Sequence, residues 1–539
     1  MSPEYPRPTF RRDRWITLNG PWDFGAGDSE AFDRRITVPF CPQSRLSGLD
    51  DRDPGDTVWY RRRFDAPEAE RLLLHFGAVD YRATVWVDGE EVARHEGGHT
   101  PFSADISHVA GRRDNLLVVR ADDPLADKTI PRGKQHWKRD PEGIFYTATT
   151  GIWQTVWLEP IPARSIQALR VTPHLDAGTV DVVITADGDV EAIAAFHGVE
   201  VGRRKGSGPI QLSTIRPWSP ESPDLYELRV SLLDAHGREL DVVHSYFGLR
   251  KIEAREGRFW LNGVPYVQRL VLDQGYFPAG LMTAPSDAAL RRDILQAKAM
   301  GFNGARKHQK VEDPRWLYWA DRLGFLVWGE MADFHEDSPD ARRRLKDEWS
   351  AAVLRDRDHP SIVAWVPVNE SFGLGEHPAE FLDDLYRLTR ELDPTRLVVS
   401  NDGWEHATSD LCTLHDYAPA AELAARYRRL DTALAPREHP VYLSGYAYHG
   451  EPMVVSEFGG VSLAGSGGFG YSQARGAAGL LDAYREMVEA LMAPGPVEGF
   501  CYTQLADVEQ ERNGLLTDAR RPKIDPELLR PFTQAPKRR

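Results

Sequence analysis

Two glutamates, far apart in the chain, each follow a run of apolar residues. Glu370 closes the sequence AWVPVNE at 364–370, and Glu457 closes MVVSE at 453–457. Each run is typical of a buried strand, so each carboxylate is expected at the C-terminal end of its strand. Two such carboxylates on one barrel can cleave a glycosidic bond, because one protonates the leaving oxygen while the other attacks the anomeric carbon. The pair therefore predicts retaining glycoside hydrolysis.

The C-terminal half alternates strands and helices in a way that would position these carboxylates. Ser286 is a predicted helix N-cap, and Gly301 is the predicted end of the same helix. A strand over 302–306 and further helix–strand pairs follow. A segment of about 250 residues with this alternation predicts a (β/α)8 TIM barrel. Counted from Val264, the strand before Glu370 is about the fourth and the strand before Glu457 about the seventh.

The N-terminal half predicts only β structure. Alternating strands flank an Asp88-Gly89 turn, which is a hairpin signal, and one strand is predicted over 151–158. The first 162 residues predict a jelly-roll β-sandwich. After a Pro-rich linker, the sequence of residues 163–254 predicts a smaller immunoglobulin-like β-sandwich. Residues 255–539 are predicted to form the catalytic barrel.

Composition excludes several classes of partner. The 539 residues carry a formal charge of −15, so a nucleic-acid partner or an anionic membrane surface is not expected. The three cysteines are too few and too far apart for a disulfide framework or a metal cluster. The N-terminus lacks an apolar signal segment and no stretch predicts a membrane span, so a cytoplasmic location is expected.

Three short sequences give the chain a resemblance to glycoside hydrolase family 2, which includes β-galactosidases, β-glucuronidases and β-mannosidases. They are Asn369-Glu370, SEFG at 456–459 and GFNGAR at 301–306. The resemblance spans nearly the whole chain and implies the same three-domain order. It implies that Glu370 is the acid/base and Glu457 the nucleophile. It also implies a carbohydrate substrate, and it is compatible with a homo-oligomer.

The resemblance assigns further substrate-binding residues. Asn369 is implied to contact the sugar 2-OH, Arg306 to support the carboxylates, and Tyr417 to hydrogen-bond the nucleophile. Physical chemistry agrees for Arg306, since a nearby cation lowers the pKa of a nucleophilic carboxyl group and keeps it ionised. Trp404 is a candidate for stacking on a sugar face, with a core or rim aromatic as the alternative.

Several positions depart from the family pattern, so the sequence does not determine which sugar is the substrate. His308 is displaced by one position from the usual histidine, and Asp273 stands where relatives carry other residues, which makes both candidates for substrate contact. The Asn-x-Lys that clamps a glucuronide carboxylate in relatives is missing from 511–516, although Arg512 could substitute. No counterpart of the family's magnesium ligands is evident, and the adjacent residues 335–337 are not spaced to converge on one ion. No metal is therefore expected.

The predicted function is a retaining exo-β-glycosidase, most like a β-galactosidase. The alternatives within the family are a β-glucuronidase, a β-mannosidase or an arabinosidase. An inactive carbohydrate-binding protein is an alternative of another class, and the intact carboxylate pair argues against it. The sequence GSGGFG at 465–470 matches a dinucleotide fingerprint, but it does not directly follow a strand and lacks the acidic residue that should end a second strand about 20 residues on. No cofactor is expected.

Overall fold

The computed structural model describes residues 4–28, 30–371 and 374–538. The first sheets are antiparallel, as predicted for a jelly roll, and two of them share one apolar core. One sheet contains Arg34–Val38, Gly20–Ala26, Thr57–Phe64, Asn115–Asp122, Arg82–Val87 and Glu90–Glu96. The other contains Ile16–Thr17, Val156–Ile161, Arg71–Phe76 and Phe102–Asp105. A short pair, Gly151–Ile152 with Val79–Asp80, and the 3-10 turn Arg45–Ser47 complete this part.

The predicted hairpin at the Asp88-Gly89 turn is confirmed, because both turn residues have positive φ and join paired strands. The single strand predicted over 151–158 is wrong, since it breaks into two strands. At the break, the indole of Trp153 donates to Gly98 O at 2.7 Å and its backbone carbonyl accepts from Thr283 at 2.6 Å. These tertiary contacts override the local alternation, which alone would continue the strand.

A second, smaller pair of antiparallel sheets follows, also as predicted. Its strands are Ile166–His174, Thr179–Ala186 and Gly208–Gln211 in one sheet, and Val199–Lys205, Asp189–Phe196, Tyr226–Leu233 and Glu239–Phe247 in the other. A three-stranded meander, Ile252–Arg255, Arg258–Leu261 and Val264–Pro265, leads into the barrel.

Eight parallel strands form the barrel. In chain order they are Gln268–Asp273, Gly304–Lys307, Leu326–Glu330, Ile362–Val366, Leu397–Val398, Cys412–His415, Met453–Gly459 and Val497–Thr503. The first pairs with the eighth, so the sheet curls round and its two free edges are the fifth and sixth strands. Every residue of the fourth and seventh strands is buried, which explains their unbroken apolar runs.

Among the described residues, each α-helix follows one of these strands along the chain. The helices are Asp287–Ala299, Pro314–Leu323, Pro339–Asp356, Pro378–Leu392, Ala420–Arg426, Leu430–Ala433, Gly476–Leu491 and Pro526–Thr533. The predicted N-cap is confirmed, because the Ser286 side chain accepts from Ala289 N, and Gly301 has the predicted positive φ beyond the helix end. The glycine-rich loop 465–470 lies between two short paired strands, Val461–Leu463 and Ser472–Ala474.

The first domain packs directly on the barrel. Cys41, Tyr146 and Trp153 share an apolar cluster with Tyr276 and Met282 of the barrel. The three cysteines are buried and unpaired. Within the described residues, no helix has both the length and the apolar character needed to cross a bilayer.

Candidate active site

The two glutamates meet at the C-terminal end of the barrel strands. Glu370 follows the fourth barrel strand and Glu457 lies within the seventh, as the sequence predicted. One oxygen of each carboxylate and one ring nitrogen of His415 all lie within 4.8 Å of one another. Retaining glycosidases place their carboxyl groups about 5–5.5 Å apart, whereas inverting enzymes need about 6.5–9.5 Å to admit a water. The spacing therefore fits direct attack by one carboxylate.

Glu457 is held as an anion. Its side chain accepts hydrogen bonds from Arg306 and from the Tyr417 hydroxyl, and His415 Nε2 lies 3.6 Å from its Oε1. Burial opposes ionisation, but the charges of His415 and Arg306 outweigh it and lower the Glu457 pKa to about 2. A carboxylate in this state is available as a nucleophile at neutral pH.

Arg306 connects residues from four other strands. Its guanidinium, at 0% exposure, donates to Glu330 at 2.7 Å and to Asn369 Oδ1 at 3.0 Å, and it pairs with Asp402 at 2.7 Å. Burial alone would lower its pKa, but the carboxylates of Glu330 and Asp402 raise it well above the usual value. Arg306 is therefore a permanent cation that fixes the carboxylate of Glu457 in position.

Glu370 is positioned mainly through its backbone. Its N–H donates to Asp402 O at 2.9 Å, and the Trp404 indole donates to its carbonyl at 3.1 Å. Its φ is 57°, in the left-handed region, which costs a non-glycine residue about 1–3 kcal/mol and is concentrated at functional sites. The Glu370 side chain is 16% exposed, against 7% for Glu457, so the predicted acid/base is the more accessible of the two carboxylates.

His415 bridges the carboxylates. Its Nδ1 lies 2.6 Å from Glu370 Oε1 and its Nε2 lies 3.0 Å from Asp402 Oδ2. Burial disfavours the imidazolium, but Glu457 and Asp402 raise the His415 pKa to about 10. His415 was not predicted as a site residue, although its position two residues before Tyr417 in an extended segment would place both side chains on one face.

Two buried acids were also missed. Glu330 ends the third barrel strand, so the rule that found Glu370 and Glu457 would have found it as well. Burial raises its pKa, Arg306 opposes that rise, and neighbouring Asp402 reinforces it, to give a value of about 7. Asp402 follows a strand of only two residues, which left no periodic signal.

The other predicted binding residues divide between two places. Asn369, Tyr417, Trp404 and His308 lie around the carboxylate pair: His308 Nδ1 is 2.9 Å from Glu330 Oε1, and the Trp404 ring stacks at 4.7 Å on His439. Burial, together with the Arg306 charge, lowers the His308 pKa well below its usual value and keeps the ring neutral.

Asp273 lies in a different cluster. Its carboxylate pairs with Lys307 at 2.7 Å and accepts from Gly275 N at 3.0 Å. The structure therefore does not bring Asp273 into contact with either catalytic candidate. Its proposed hydrogen bond to a substrate hydroxyl stays a prediction from the sequence.

The site offers limited means of holding a metal or a cofactor. Glu370, His415 and Glu457 are close enough together to ligate one ion, but both His415 nitrogens already face carboxylates and the ring is protonated. Ligation would require His415 to lose that proton. His335 Nε2 donates to Gly133 O and Asp337 pairs with Arg342, so these neighbours do not converge. The glycine-rich loop does not open the helix that begins at Gly476, as phosphate binding would require.

Comparison with known proteins identifies the family. Residues 283–476 match the model described as "Glycosyl hydrolases family 2, TIM barrel domain". Residues 165–250 match "Glycosyl hydrolases family 2", and residues 53–150 match "Glycosyl hydrolase 2 galactose-binding domain-like". With three successive models of one family matched in order, the chain belongs to glycoside hydrolase family 2 and is a glycoside hydrolase.

Similar proteins carry two different names. A β-glucuronidase from Paenibacillus borealis is 27% identical over 86% of this chain and 85% of its own length. A β-galactosidase from Photobacterium profundum is 27% identical over 75% of this chain but only 41% of its own length. A structure of the β-glucuronidase from Ruminococcus gnavus in complex with D-glucuronic acid superposes with a TM-score of 0.82 at 20% identity, covering 99% of this chain and 100% of that one. That superposition shows a shared fold.

Proposed function

We propose that the protein is a retaining exo-β-glycosidase, with Glu457 as nucleophile and Glu370 as acid/base. The observation that supports this most directly is the pair of carboxylate oxygens within 4.8 Å of each other, which is closer than the separation of about 6.5–9.5 Å in inverting enzymes. A glycosidase that inverted configuration would need space for a water molecule between sugar and base, and this spacing does not provide it.

In the first step, Glu457 attacks the anomeric carbon while Glu370 donates its proton to the leaving oxygen, so the glycosidic bond breaks and a glycosyl ester forms on Glu457. In the second step, ionised Glu370 takes a proton from water, whose oxygen attacks the same carbon and releases Glu457 as a carboxylate. Arg306 and Tyr417 contact the nucleophile and would stabilise it when it is released. Asn369 would accept or donate a hydrogen bond at the sugar 2-OH.

The identity of the sugar is the finer part of the proposal. The sequence favours a β-galactoside, while the similar proteins are named β-glucuronidases as well as β-galactosidases. A β-glucuronide is therefore the second candidate. The β-mannoside and the arabinoside complete the range of sugars to be tested. A protein that only binds carbohydrate would have no need for one ionised and one accessible carboxylate at this spacing.

The proposal is tested with a panel of aryl glycosides: β-galactoside, β-glucuronide, β-mannoside, β-glucoside and α-L-arabinoside. Hydrolysis is followed by proton NMR, and we expect the first product to keep the anomeric configuration of the substrate before it mutarotates. A short oligosaccharide should release its terminal sugar only. Initial release of the opposite anomer, or no hydrolysis of any glycoside by folded protein, would contradict the proposal.

A further inference from the structure

Lys134 belongs to the first sheet domain but lines a cavity of the barrel beside Glu370, the acid/base candidate. It lies in the long connection between strands Asn115–Asp122 and Gly151–Ile152. The cavity that it lines is also formed by Asn369 and the acid/base candidate Glu370. The barrel therefore does not build the whole site, since the first domain contributes one of its walls.

The backbone at Lys134 is attached to the rim of the barrel. The N–H groups of Arg132 and Gly133 both donate to Asp333 O at 2.9 Å, and His335 Nε2 donates to Gly133 O at 2.8 Å. Gly133 has a φ of 58°, and a Cβ there would lie 2.3 Å from Gln309 O. Only glycine fits at this close approach of the two backbones. The contact therefore fixes the position of the backbone of the next residue, Lys134.

The ammonium group of Lys134 has no partner of opposite charge in contact with it. The residue is 8% exposed, and among the described residues its Nζ makes no hydrogen bond or ion pair. Its nearest described interaction is with the ring of Phe145, whose centroid lies 5.9 Å away. The Nζ atom is not among the fully buried polar atoms that lack a partner, so the charged end of this buried side chain reaches the open space of the cavity. Other buried lysines of the barrel, such as Lys307, are paired with carboxylates.

Glu511 and Asp333, two acids whose charge interacts with that of Lys134, hydrogen-bond to other groups. The Glu511 carboxylate accepts from the Tyr146 hydroxyl at 2.5 Å and from Asn513 Nδ2 at 3.0 Å, and Asp333 accepts from Asn369 N at 3.1 Å. Burial raises the pKa of both Glu511 and Asp333, and the charge of Lys134 opposes that rise at each of them. Among the described residues no acid forms an ion pair with Lys134, so its ammonium group is free to contact a ligand in the cavity that Glu370 also lines.

We propose that Lys134 binds a carboxylate on the glycone, so that the preferred substrate is a glycoside of a uronic acid. This inference rests on the proposed glycosidase activity and narrows its substrate class. The buried lysine gains its missing counter-ion only when an acidic sugar occupies the cavity. A neutral sugar of the same configuration would leave the charge unpaired and would be hydrolysed less efficiently. Arg512 is a poorer candidate, because it is 35% exposed and faces Asp518 at 3.4 Å.

The test compares sugars that differ only at C6: aryl β-glucuronide against β-glucoside, and aryl β-galacturonide against β-galactoside. The variants are Lys134→Met and the matched control Lys138→Met, which removes an exposed lysine of the same segment. We expect wild type to prefer the acidic member of at least one pair. Lys134→Met should lower kcat/KM for that member about 30-fold or more, because truncating one side of a buried charge pair has effects of this size. Lys138→Met should match wild type.

Binding distinguishes failure of this inference from failure of the proposed function. Calorimetry with D-glucuronate, D-galacturonate and their neutral counterparts should show tighter binding of a uronate to wild type, and a loss of about 30-fold or more in Lys134→Met. If no glycoside is hydrolysed but this pattern appears, the activity is refuted and the site stands. If neutral glycosides are hydrolysed and Lys134→Met affects acidic and neutral sugars equally, the site is refuted and the activity stands.

Thermal unfolding shows whether Lys134 serves to bind a ligand or to stabilise the fold. An unpaired buried cation should be replaceable by methionine without loss of melting temperature. A Lys134→Met protein that melts well below both wild type and Lys138→Met would show that Lys134 balances Glu511 and Asp333 instead, and would overturn the inference.

Discussion

Two consecutive residues of the second barrel strand, Arg306 and Lys307, lead into two different clusters of buried charge. Arg306 contacts Glu457, Glu330 and Asp402 at the end of the barrel where Glu370 lies. Lys307 points away from this site, pairs with Asp273 and Glu312 at 2.7 Å each, and lies over the ring of Trp316 in the neighbouring helix. The two side chains leave opposite faces of one strand, as successive strand residues do.

Both clusters are buried, but they differ in the balance between positive and negative charges. Around Lys307, a second cation, Lys310, pairs with Glu312 at 3.0 Å and donates to two backbone carbonyls, so two lysines offset Asp273 and Glu312. The carboxylates around Arg306 outnumber the arginine. Within the described residues, buried atoms such as Arg306 Nε and Asp402 Oδ1 also have no hydrogen-bond partner. Buried charge alone thus does not mark a catalytic site. The unequal charge and the unsatisfied polar atoms are what make the Arg306 cluster the candidate.

The largest expected effect separates the two clusters by activity. Glu457→Gln should lower kcat/KM on the order of 10⁴-fold or more, since the proposed nucleophile is lost while the shape of the site is kept. The matched change Glu312→Gln removes a carboxylate from the balanced cluster and should leave kcat/KM of the folded protein near wild type. Steady-state kinetics on the best aryl glycoside measures both. Comparable losses in the two variants would mean that the Lys307 cluster also takes part in catalysis.

A second expected effect distinguishes the Lys307 cluster from the Arg306 cluster by its contribution to the free energy of unfolding. Lys307→Met leaves Asp273 and Glu312 with less counter-charge in a buried place, and should lower the free energy of unfolding by about 3–5 kcal/mol. Urea denaturation at pH 7 measures this difference, and kcat of the remaining folded protein should change little. A variant as stable as wild type would show that Lys310 alone balances both acids.

Most of the fold could be predicted because its signals are local. The Ser286 cap, the Asp88-Gly89 turn and the apolar runs before Glu370 and Glu457 each act within a few residues, and each prediction is confirmed. The strand over 151–158 fails because Trp153 turns towards the barrel, and nothing in that stretch of sequence shows the contact.

The site was only partly predictable because its members converge from distant parts of the chain. Glu330 and His415 carry a local signal that was passed over, but Asp402 follows a strand too short to show periodicity. Lys134 lies in an irregular connection of another domain, where charge, spacing and hydropathy indicate no site. Its place in the cavity becomes visible only once Gly133 is seen against the barrel rim.

The remaining expected effect concerns His415, the residue that links the two catalytic candidates, and is a change of the unfolding free energy with pH. Its pKa in the folded protein is about 10, above its usual 6.5, so its charge stabilises the fold fully below pH 6.5 and this contribution is lost as pH rises through 10. The difference in unfolding free energy between wild type and His415→Gln should therefore shrink between pH 6.5 and 10, by at most about 1.4 kcal/mol per pH unit. Urea denaturation at pH 6, 8 and 10 measures it. A constant difference across this range would mean that His415 is neutral, and that Arg306 is the cation that keeps Glu457 ionised.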